Sequence, residues 1–165
     1  MKQIKIALLM GDTILSRRLI NLFNKKKKFQ IIFIQSNLII KKYTKDNLNK
    51  KYIWVSNKTR NEKKILEISK SKKVEIIISA QHPWILSEKL ITTLKGNIFN
   101  CHFGKLPEYR GHDPINYSII NKEKYCYSTF HIISKKVDSG YIISQKKIYI
   151  NKKTPREIEN LMSKN

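Results

Sequence analysis

Cysteine and glycine are scarce in this sequence of 165 residues, which has two of the first and five of the second. The two cysteines, Cys101 and Cys126, show no close metal-ligand or redox spacing, so neither a disulfide scaffold nor a zinc site is supported. Gly11 follows the first predicted strand as a single turn glycine, without a G-x-G-x-x-G or Walker pattern. Dinucleotide and nucleoside triphosphate loops are therefore disfavoured, and we expect no metal site.

Long hydrophobic runs are also missing. No stretch approaches the ~20 apolar residues of a membrane span. The apolar run Ile6–Met10 is too short for the hydrophobic region of a signal peptide, and Asp12 soon follows it. We therefore expect a cytoplasmic protein without a membrane span.

Acidic residues are few: 12 Asp and Glu stand against 34 Lys and Arg, a net charge of +22. Only five of the 34 basic residues are arginine. Proteins that recognise phosphate groups or nucleic-acid grooves favour arginine, because its side chain makes bidentate contacts. The lysines are scattered rather than gathered in one stripe. We interpret the charge as a compositional bias of the coding sequence, spread over the whole surface. A basic nucleic-acid-binding module without catalysis stays open as the alternative class.

The composition, with 41% hydrophobic and 28% charged residues, is that of a globular protein, and the length suits one domain over residues 1–165. Short β-branched runs alternate with helical patterns, which predicts an α/β fold with a mainly parallel twisted sheet and helices on both faces. The predicted strands are Ile4–Met10, Gln30–Gln35, Val74–Ser79, Asn97–His102, Ser128–Ile133 and Tyr141–Ile150. The predicted helices are Ile14–Phe23, Glu62–Lys70, Ser87–Leu94 and Ile115–Ile120.

Two further segments complete the predicted organisation. The polar stretch Lys41–Lys51 is interpreted as a loop. Thr154, Pro155 and Glu157 have the spacing of a helix start, with an N-cap, a proline at the first helical position and a glutamate three residues after the cap. About eight residues follow this signal, so we expect a short or unfinished last helix and a domain that is C-terminally short.

The segment 99–111, FNCHFGKLPEYRG, has the densest set of reactive side chains, where a predicted strand ends in polar residues. Asn100 and His102 are two residues apart, so both project from one face of the strand while Cys101 points to the other. An amide can donate to a developing oxyanion, and an imidazole can take a proton from an attacking amine. In open α/β sheets, ligands bind at the carboxyl ends of the strands.

A carboxylate partner for His102 is expected from Asp138, in the turn KKVDSG. A carboxylate beside an imidazole would hold its tautomer and stabilise the imidazolium that forms during proton transfer. The three side chains together favour acyl transfer. Trp84 is interpreted as a core or rim residue, and the remaining histidines are assigned to loops or the core. These are His82, His112 and His131.

The stretch 79–150 resembles the catalytic core of the formyltransferase family, which includes glycinamide ribonucleotide, methionyl-tRNA and sugar-nucleotide formyltransferases. That family shows Asn-x-His, a Leu-Pro loop, a Tyr-Arg-Gly-like turn, a Thr-x-His strand and an Asp-x-Gly turn, in this order. The positions that carry the resemblance here are Asn100, His102, Leu106, Pro107, Tyr109, Arg110, Gly111, Thr129, His131, Asp138 and Gly140.

The resemblance implies a Rossmann-like core and a formyl transfer from 10-formyltetrahydrofolate to a primary amine. It implies that Asn100 binds the formyl oxygen, that His102 stabilises the tetrahedral intermediate and helps to move the proton, and that Asp138 orients His102. The turn Ser134–Asp138 would close one side of the cofactor pocket. The implied cofactor-binding residues are Pro83, Trp84, Ile85, Leu86 and Val137. The implied substrate-binding residues are Gly104, Lys105 and Arg110.

The acceptor is predicted from smaller differences. The residues of the HPWIL and LPEYRG segments are similar to those of formyltransferases that modify amino sugars. We therefore expect the acceptor to be a nucleotide-linked amino sugar. The start LLMGDTILSRRL lacks the Gly- and Ser-rich phosphate loop of the purine-pathway enzyme, and Phe103, Gly104 and Lys105 follow His102 where the family often has Ser and Leu. A truncated methionyl-tRNA formyltransferase that binds tRNA, or a phosphoribosylglycinamide formyltransferase, remains as an alternative.

Overall fold

The computed structural model describes residues 2–48 and 51–164. Seven strands form one sheet in the order β3-β2-β1-β4-β5-β6-β7. The strands are β1 Ile4–Met10, β2 Phe29–Ser36, β3 Ile53–Ser56, β4 Ile76–Ala80, β5 Ile98–His102, β6 Tyr125–Ile132 and β7 Ile142–Tyr149. The helices are α1 Ile14–Lys25, α2 Leu38–Asn47, α3 Glu62–Ser71, α4 Glu88–Thr93, α5 Pro114–Ile120 and α6 Pro155–Met162.

Strands β1 to β5 are parallel, whereas β6 runs antiparallel to β5 and β7 antiparallel to β6. The predicted α/β class with a mainly parallel sheet is confirmed. Strands β1 to β3 extend the sheet in one direction and strands β4 to β7 extend it in the other, so the strand order reverses between β1 and β4. The carboxyl ends of the five parallel strands share one edge of the sheet. Ligands of such sheets bind outside that edge.

An apolar core lies on each face of the sheet. The core towards α1, α5 and α6 is built on alternate residues of β1, including Ile6, Leu8 and Met10. The core towards α3 and α4 contains the β1 residues that alternate with these, Ala7 and Leu9. Strand β1 is therefore buried on both sides, as expected for a central parallel strand.

Helix α2 corrects the prediction of a loop over Lys41–Lys51; of that segment, residues 49 and 50 lie outside the described residues. The Asn37 side chain caps α2 by accepting from the backbone N–H of Ile40. In the described part of α2, only Ile40 and Thr44 are buried. This apolar stripe is too narrow to give the helical periodicity that sequence reasoning looks for. The short strand β3 was also not predicted.

Helix α6 begins where its capping signal places it. The Thr154 side chain accepts from the N–H of Glu157, and the Glu157 carboxylate accepts from the N–H of Thr154. Over residues 2–48 and 51–164, no helix has the length and apolar character needed to cross a membrane.

Candidate active site

Strand β5 carries two of the predicted catalytic residues to the carboxyl edge of the sheet. Asn100 and His102 alternate with Cys101 and so project from the same face. The antiparallel strand β6 pairs Asn100 with His131 and His102 with Thr129. The pairing register therefore adds a second imidazole to the face that carries the amide and the first imidazole.

The third predicted catalytic residue, Asp138, lies in the turn between β6 and β7. Its φ is 46°, in the left-handed region that Asp and Asn tolerate better than most residues. Its Oδ2 atom lies 3.5 Å from Nδ1 of His102 and accepts a 2.9 Å hydrogen bond from the N–H of Gly111. Its Oδ1 atom lies 3.4 Å from Nε2 of His131. The structure thus brings Asp138, His102 and Asn100 into one cluster.

His131 fixes one end of the Asn100 amide. Nδ1 of His131 donates to the carbonyl oxygen of Ile132 at 3.0 Å, so in the neutral ring Nε2 is an acceptor. The Asn100 amide nitrogen lies 3.2 Å from this Nε2 and 3.5 Å from Oδ1 of Asp138. The first contact is a good hydrogen bond and the second is at the limit of one. One amide N–H is therefore held, and the other is only weakly engaged.

Both ring nitrogens of His102 face protein atoms. Nε2 donates to the carbonyl oxygen of Tyr109 at 2.6 Å, which leaves Nδ1 as the basic nitrogen of the neutral ring, opposite Asp138. A proton taken up at Nδ1 would lie against the carboxylate. Burial lowers the pKa of His102 below its ordinary 6.5, and this effect outweighs the opposing influence of Asp138 and the Tyr109 carbonyl.

The carboxyl group of Asp138 stays ionised. Burial alone would raise its pKa, but a hydrogen bond from the His131 ring in its protonated form, the charge of His102 in its protonated form and the N–H of Gly111 together lower it below the ordinary 3.8. A neutral imidazole and a charged carboxylate at neutral pH form the pair that can receive one proton and stabilise it.

A buried hydrogen-bond network supports the loop that follows His102. A Cβ atom at Gly104 would lie 2.6 Å from Nε2 of His102 and 2.5 Å from the Tyr109 carbonyl oxygen, so only glycine fits without a shift. The Thr129 hydroxyl donates to the Gly104 carbonyl oxygen at 2.6 Å, and the Gln145 amide donates to Thr129 at 3.0 Å. Strands β6 and β7 therefore hold the loop that positions His102.

The predicted cofactor loop lies after β4. Ile85 is 63% exposed and Trp84 is 36% exposed, and the Trp84 indole N–H donates to the Asn57 carbonyl oxygen at 2.7 Å. His82 contacts the Trp84 carbonyl oxygen and the side-chain oxygen of the buried Gln35. Burial lowers the pKa of His82 to about 4. The loop is thus anchored by hydrogen bonds and exposes apolar side chains to solvent.

The remaining predicted binding residues differ in exposure. Val137 is 45% exposed in the turn that carries Asp138. Lys105 pairs with Glu108 at 2.9 Å, and the Arg110 Nε donates to the Asp138 carbonyl oxygen at 3.2 Å. Gly104, by contrast, is buried under the loop. Its predicted contact with the acceptor stays a prediction, and the structure gives it a packing role instead.

His131 is the main member of the cluster that the residues alone did not predict as functional, because histidines without metal spacing were assigned to loops or the core. It is 1% exposed, in accord with the core assignment, yet it contacts both Asn100 and Asp138. The sequence signal for His131 was its spacing of two residues from Thr129, which places both side chains on one face of the strand. The pairing with Asn100 needs the register of two strands about 30 residues apart, which local patterns do not contain.

No group of three or more His, Cys, Asp and Glu side chains among the described residues is placed to hold a metal ion. The cluster offers proton transfer and hydrogen-bond donation around one polarised carbonyl group. This combination is the chemistry of acyl transfer to an amine.

Comparison with known proteins gives a consistent result. A sequence model of the formyl transferase family matches residues 15–164. The bifunctional polymyxin resistance protein ArnA of Wigglesworthia glossinidia brevipalpis is 40% identical over 96 residues, which are 58% of this chain and 15% of that protein. The methionyl-tRNA formyltransferase of Enterococcus faecalis is 40% identical over 78 residues, 47% of this chain and 25% of that one. The chain therefore spans a quarter or less of these relatives.

Solved structures share the fold. Phosphoribosylglycinamide formyltransferase from Anaplasma phagocytophilum superimposes with a TM-score of 0.84 at 19% identity, over 99% of this chain and 80% of that chain. A formyltetrahydrofolate deformylase from Pseudomonas syringae gives 0.79 at 15% identity, over 99% and 57%. Identities this low are informative about the fold alone.

Proposed function

The chain belongs to the formyl transferase family, and from this premise we propose that it moves a formyl group from 10-formyltetrahydrofolate to a primary amine. The observation that carries the proposal is the cluster of Asn100, His102 and Asp138 at the carboxyl edge of the sheet. The three side chains lie within reach of one small carbonyl group, and the cluster is polar and largely buried.

The bound formyl donor would supply an electrophilic carbonyl carbon, to which the amine nitrogen adds. The new C–N bond forms from the amine lone pair, and the carbonyl electrons move onto oxygen before they return and the C–N10 bond breaks. The weakly engaged N–H of Asn100 donates to this oxygen. One amine proton passes to Nδ1 of His102, where Asp138 stabilises the positive charge, and this proton then goes to the folate N10 as the C–N10 bond breaks.

The donor pocket is proposed at the loop after β4. Pro83, Trp84, Ile85 and Leu86 supply apolar contacts, and the backbone of the loop supplies polar ones. Val137 closes the pocket from the turn that carries Asp138. A flat heterocycle suits mostly apolar walls with a few convergent polar groups, and the exposure of Trp84, Ile85 and Val137 agrees with this fit.

The acceptor is proposed to be an amino sugar linked to a nucleotide. The HPWIL and LPEYRG segments favour it, and Lys105 and Arg110 flank the catalytic loop with positive charge that suits a phosphate group. A charged tRNA is the second candidate, because the E. faecalis relative is named as a methionyl-tRNA formyltransferase. Glycinamide ribonucleotide is the third, favoured only by the fold.

The test is a formylation assay with 10-formyltetrahydrofolate and three acceptors in parallel: an amino-sugar nucleotide, charged initiator tRNA and glycinamide ribonucleotide. We expect turnover with the amino-sugar nucleotide. Activity on the tRNA alone would overturn the acceptor but not the formyl transfer, whereas folate binding without transfer to any amine would overturn the reaction.

The catalytic assignment is tested by His102→Ala. Turnover is expected to fall by about 10² to 10⁴, the range of general acid–base catalysis, with a native circular dichroism spectrum. His112→Ala is the matched control, since His112 is an exposed histidine outside the cluster. Equal turnover in the two variants would remove His102 from the mechanism.

A further inference from the structure

Residues 81–87 join β4 to α4 and form the loop at which the donor pocket is proposed, here the donor loop. Strand β4 pairs with β5, so the donor loop begins one strand away from Asn100 and His102. Trp84 and Ile85 are exposed on it. An apolar surface beside a polar cluster suits the binding of a flat ligand. The position of the donor loop therefore decides where a bound folate lies relative to the cluster.

The donor loop starts in a constrained conformation. Gln81 has a φ of 48°, in the left-handed region. Its carbonyl oxygen packs against Gly11, where a Cβ atom would lie only 2.1 Å from this oxygen, so glycine alone fits without a shift. The N–H of Gly11 also donates to the carbonyl oxygen of Ala80 at 2.9 Å. The turn after β1 therefore fixes the first residue of the donor loop.

Two further bonds tie the donor loop to the segment between β3 and α3. The Trp84 indole N–H donates to the Asn57 carbonyl oxygen at 2.7 Å, and the N–H of Ser87 donates to Oε1 of Glu62 at 2.8 Å. The Asn57 amide in turn donates to the carbonyl oxygen of Met10 at 3.2 Å. The middle and the end of the donor loop are thus held by a part of the chain that adds no side chain to the catalytic cluster.

His82 links the donor loop to strand β2. Its Nε2 atom lies 2.9 Å from the side-chain oxygen of Gln35, and its Nδ1 atom lies 3.1 Å from the Trp84 carbonyl oxygen. Gln35 is 0% exposed, and its amide nitrogen donates to the carbonyl oxygens of Arg60 at 2.9 Å and Ser56 at 3.3 Å. These bonds fix the orientation of the Gln35 amide, so its oxygen atom faces His82.

The two oxygen atoms beside the His82 ring are both acceptors. Burial lowers the pKa of His82 to about 4, so the ring is neutral near pH 7 and has one N–H to donate. Of the two contacts, the one with Gln35 is the shorter, and it alone leaves the donor loop, since Trp84 is two residues further along the chain. The ring proton is therefore assigned to Nε2, and the bond to Gln35 is the tether.

We infer that His82, held by Gln35, is a positioning residue for the formyl donor and fixes the donor loop in the conformation that binds folate. The inference rests on the proposed function. A loop that is ordered before binding loses little conformational entropy when its ligand arrives, which raises affinity. His82 therefore acts on donor binding, whereas Asn100, His102 and Asp138 act on the chemical step.

Three substitutions of His82 test the tether. His82→Ala removes both contacts. The amide nitrogen of His82→Gln reaches the place of Nε2 and can donate to Gln35, whereas that of His82→Asn reaches the place of Nδ1 and can donate only to Trp84. Calorimetric titration with 5-formyltetrahydrofolate is expected to give a Kd about tenfold higher for the Ala and Asn variants and within about threefold of the unaltered chain for the Gln variant. The KM for 10-formyltetrahydrofolate should follow the same order at nearly constant kcat.

Asn21→Ala is the matched control for a lost tertiary hydrogen bond. The Asn21 side chain is half-buried, and its amide donates to the Tyr43 hydroxyl at 2.6 Å, which joins α1 to α2 away from the donor loop. Thermal melts are expected to show a similar loss of stability in Asn21→Ala and His82→Ala. The control is nevertheless expected to bind 5-formyltetrahydrofolate as the unaltered chain does.

Three results would overturn the inference while formyl transfer by the unaltered chain is left in place. They are an unchanged Kd in His82→Ala, an equal rise of the Kd in Asn21→Ala, and tighter binding by His82→Asn than by His82→Gln. The last result would assign the ring to Trp84 instead of Gln35. An unaltered chain that neither binds the folate nor transfers a formyl group would overturn the proposed function, and the inference with it.

Discussion

Strands β5 and β6 carry polar groups on one face and apolar groups on the other, from alternate residues of the same short segments. Asn100 and His131 face each other on the side of the proposed active site. Phe99 and Phe130 stack on the opposite side, with ring centroids 5.5 Å apart. Neighbouring residues in the chain therefore differ in environment: one set forms the proposed catalytic cluster, and the other packs in the apolar core that keeps the strands in register.

The two faces depend on each other through the strand pairing. Asn100 pairs with His131 in the same ladder in which Cys101 pairs with Phe130. A slip of one residue would exchange the faces and bring a phenyl ring to the position of an imidazole. Substitutions on the polar face should therefore change turnover at constant stability, and those on the apolar face should change stability at constant turnover.

Asp138→Asn is expected to give the largest difference between the effect on turnover and the effect on stability. The substitution keeps the shape and the tolerated left-handed backbone but removes the negative charge beside His102. Turnover should fall by about 10³, because the imidazolium loses its counter-charge in the transition state. Steady-state formylation and a thermal melt on the same preparation measure both quantities. Asp46→Asn, an exposed site on α2, is the matched control, and a similar loss in both variants would contradict the assignment.

The opposite outcome is expected for Phe130→Ala. The phenyl ring is half-buried and stacks on Phe99, so its removal should cost about 2 kcal/mol, below the 3–5 kcal/mol of a fully buried aromatic residue. Urea unfolding measures the free energy. Turnover per folded molecule should stay within a factor of about two, since the ring lies across the sheet from the cluster. A tenfold loss of turnover with unchanged stability would show that the faces are not separable.

A smaller effect on the polar face is expected for His131→Gln. The imidazole holds the Asn100 amide at 3.2 Å and lies 3.4 Å from Asp138, so its loss should loosen both side chains without removing either. We expect kcat to fall about tenfold with little change in KM for the amine, because the orientation of the amide matters most in the transition state. A rise in KM with unchanged kcat would instead make His131 a residue of ground-state binding.

Sequence reasoning reached the polar face because its signals are local. The Asn-x-His spacing states by itself that Asn100 and His102 share a strand face, and the structure agrees. The α/β class followed from the alternation of strands and helices in the same way. Helix α2 was missed because its described residues bury only Ile40 and Thr44, a pattern that local periodicity does not distinguish from a polar loop.

The rest of the site is non-local. The contact of His131 with Asn100 depends on strand register, and the 2.6 Å bond from His102 to the Tyr109 carbonyl oxygen depends on the path of a loop. Backbone carbonyl groups have no signature in a sequence.

The smallest expected effect is on the pH dependence of kcat/KM. This dependence tests whether burial or the charge of Asp138 has the larger influence on the pKa of His102. His102 is 7% exposed, and this burial lowers its pKa below 6.5. The base must be neutral to accept a proton, so activity falls as pH falls through the lowered pKa. At pH 6.5 more than half of the maximal rate should remain, and the midpoint of the acid limb should lie below that value. Asp138 does not contribute to this limb, because its pKa is below 3.8 and it stays ionised. A midpoint at or above 6.5 would mean that the Asp138 charge outweighs burial, and the polar face would then be more open to water than its packing indicates.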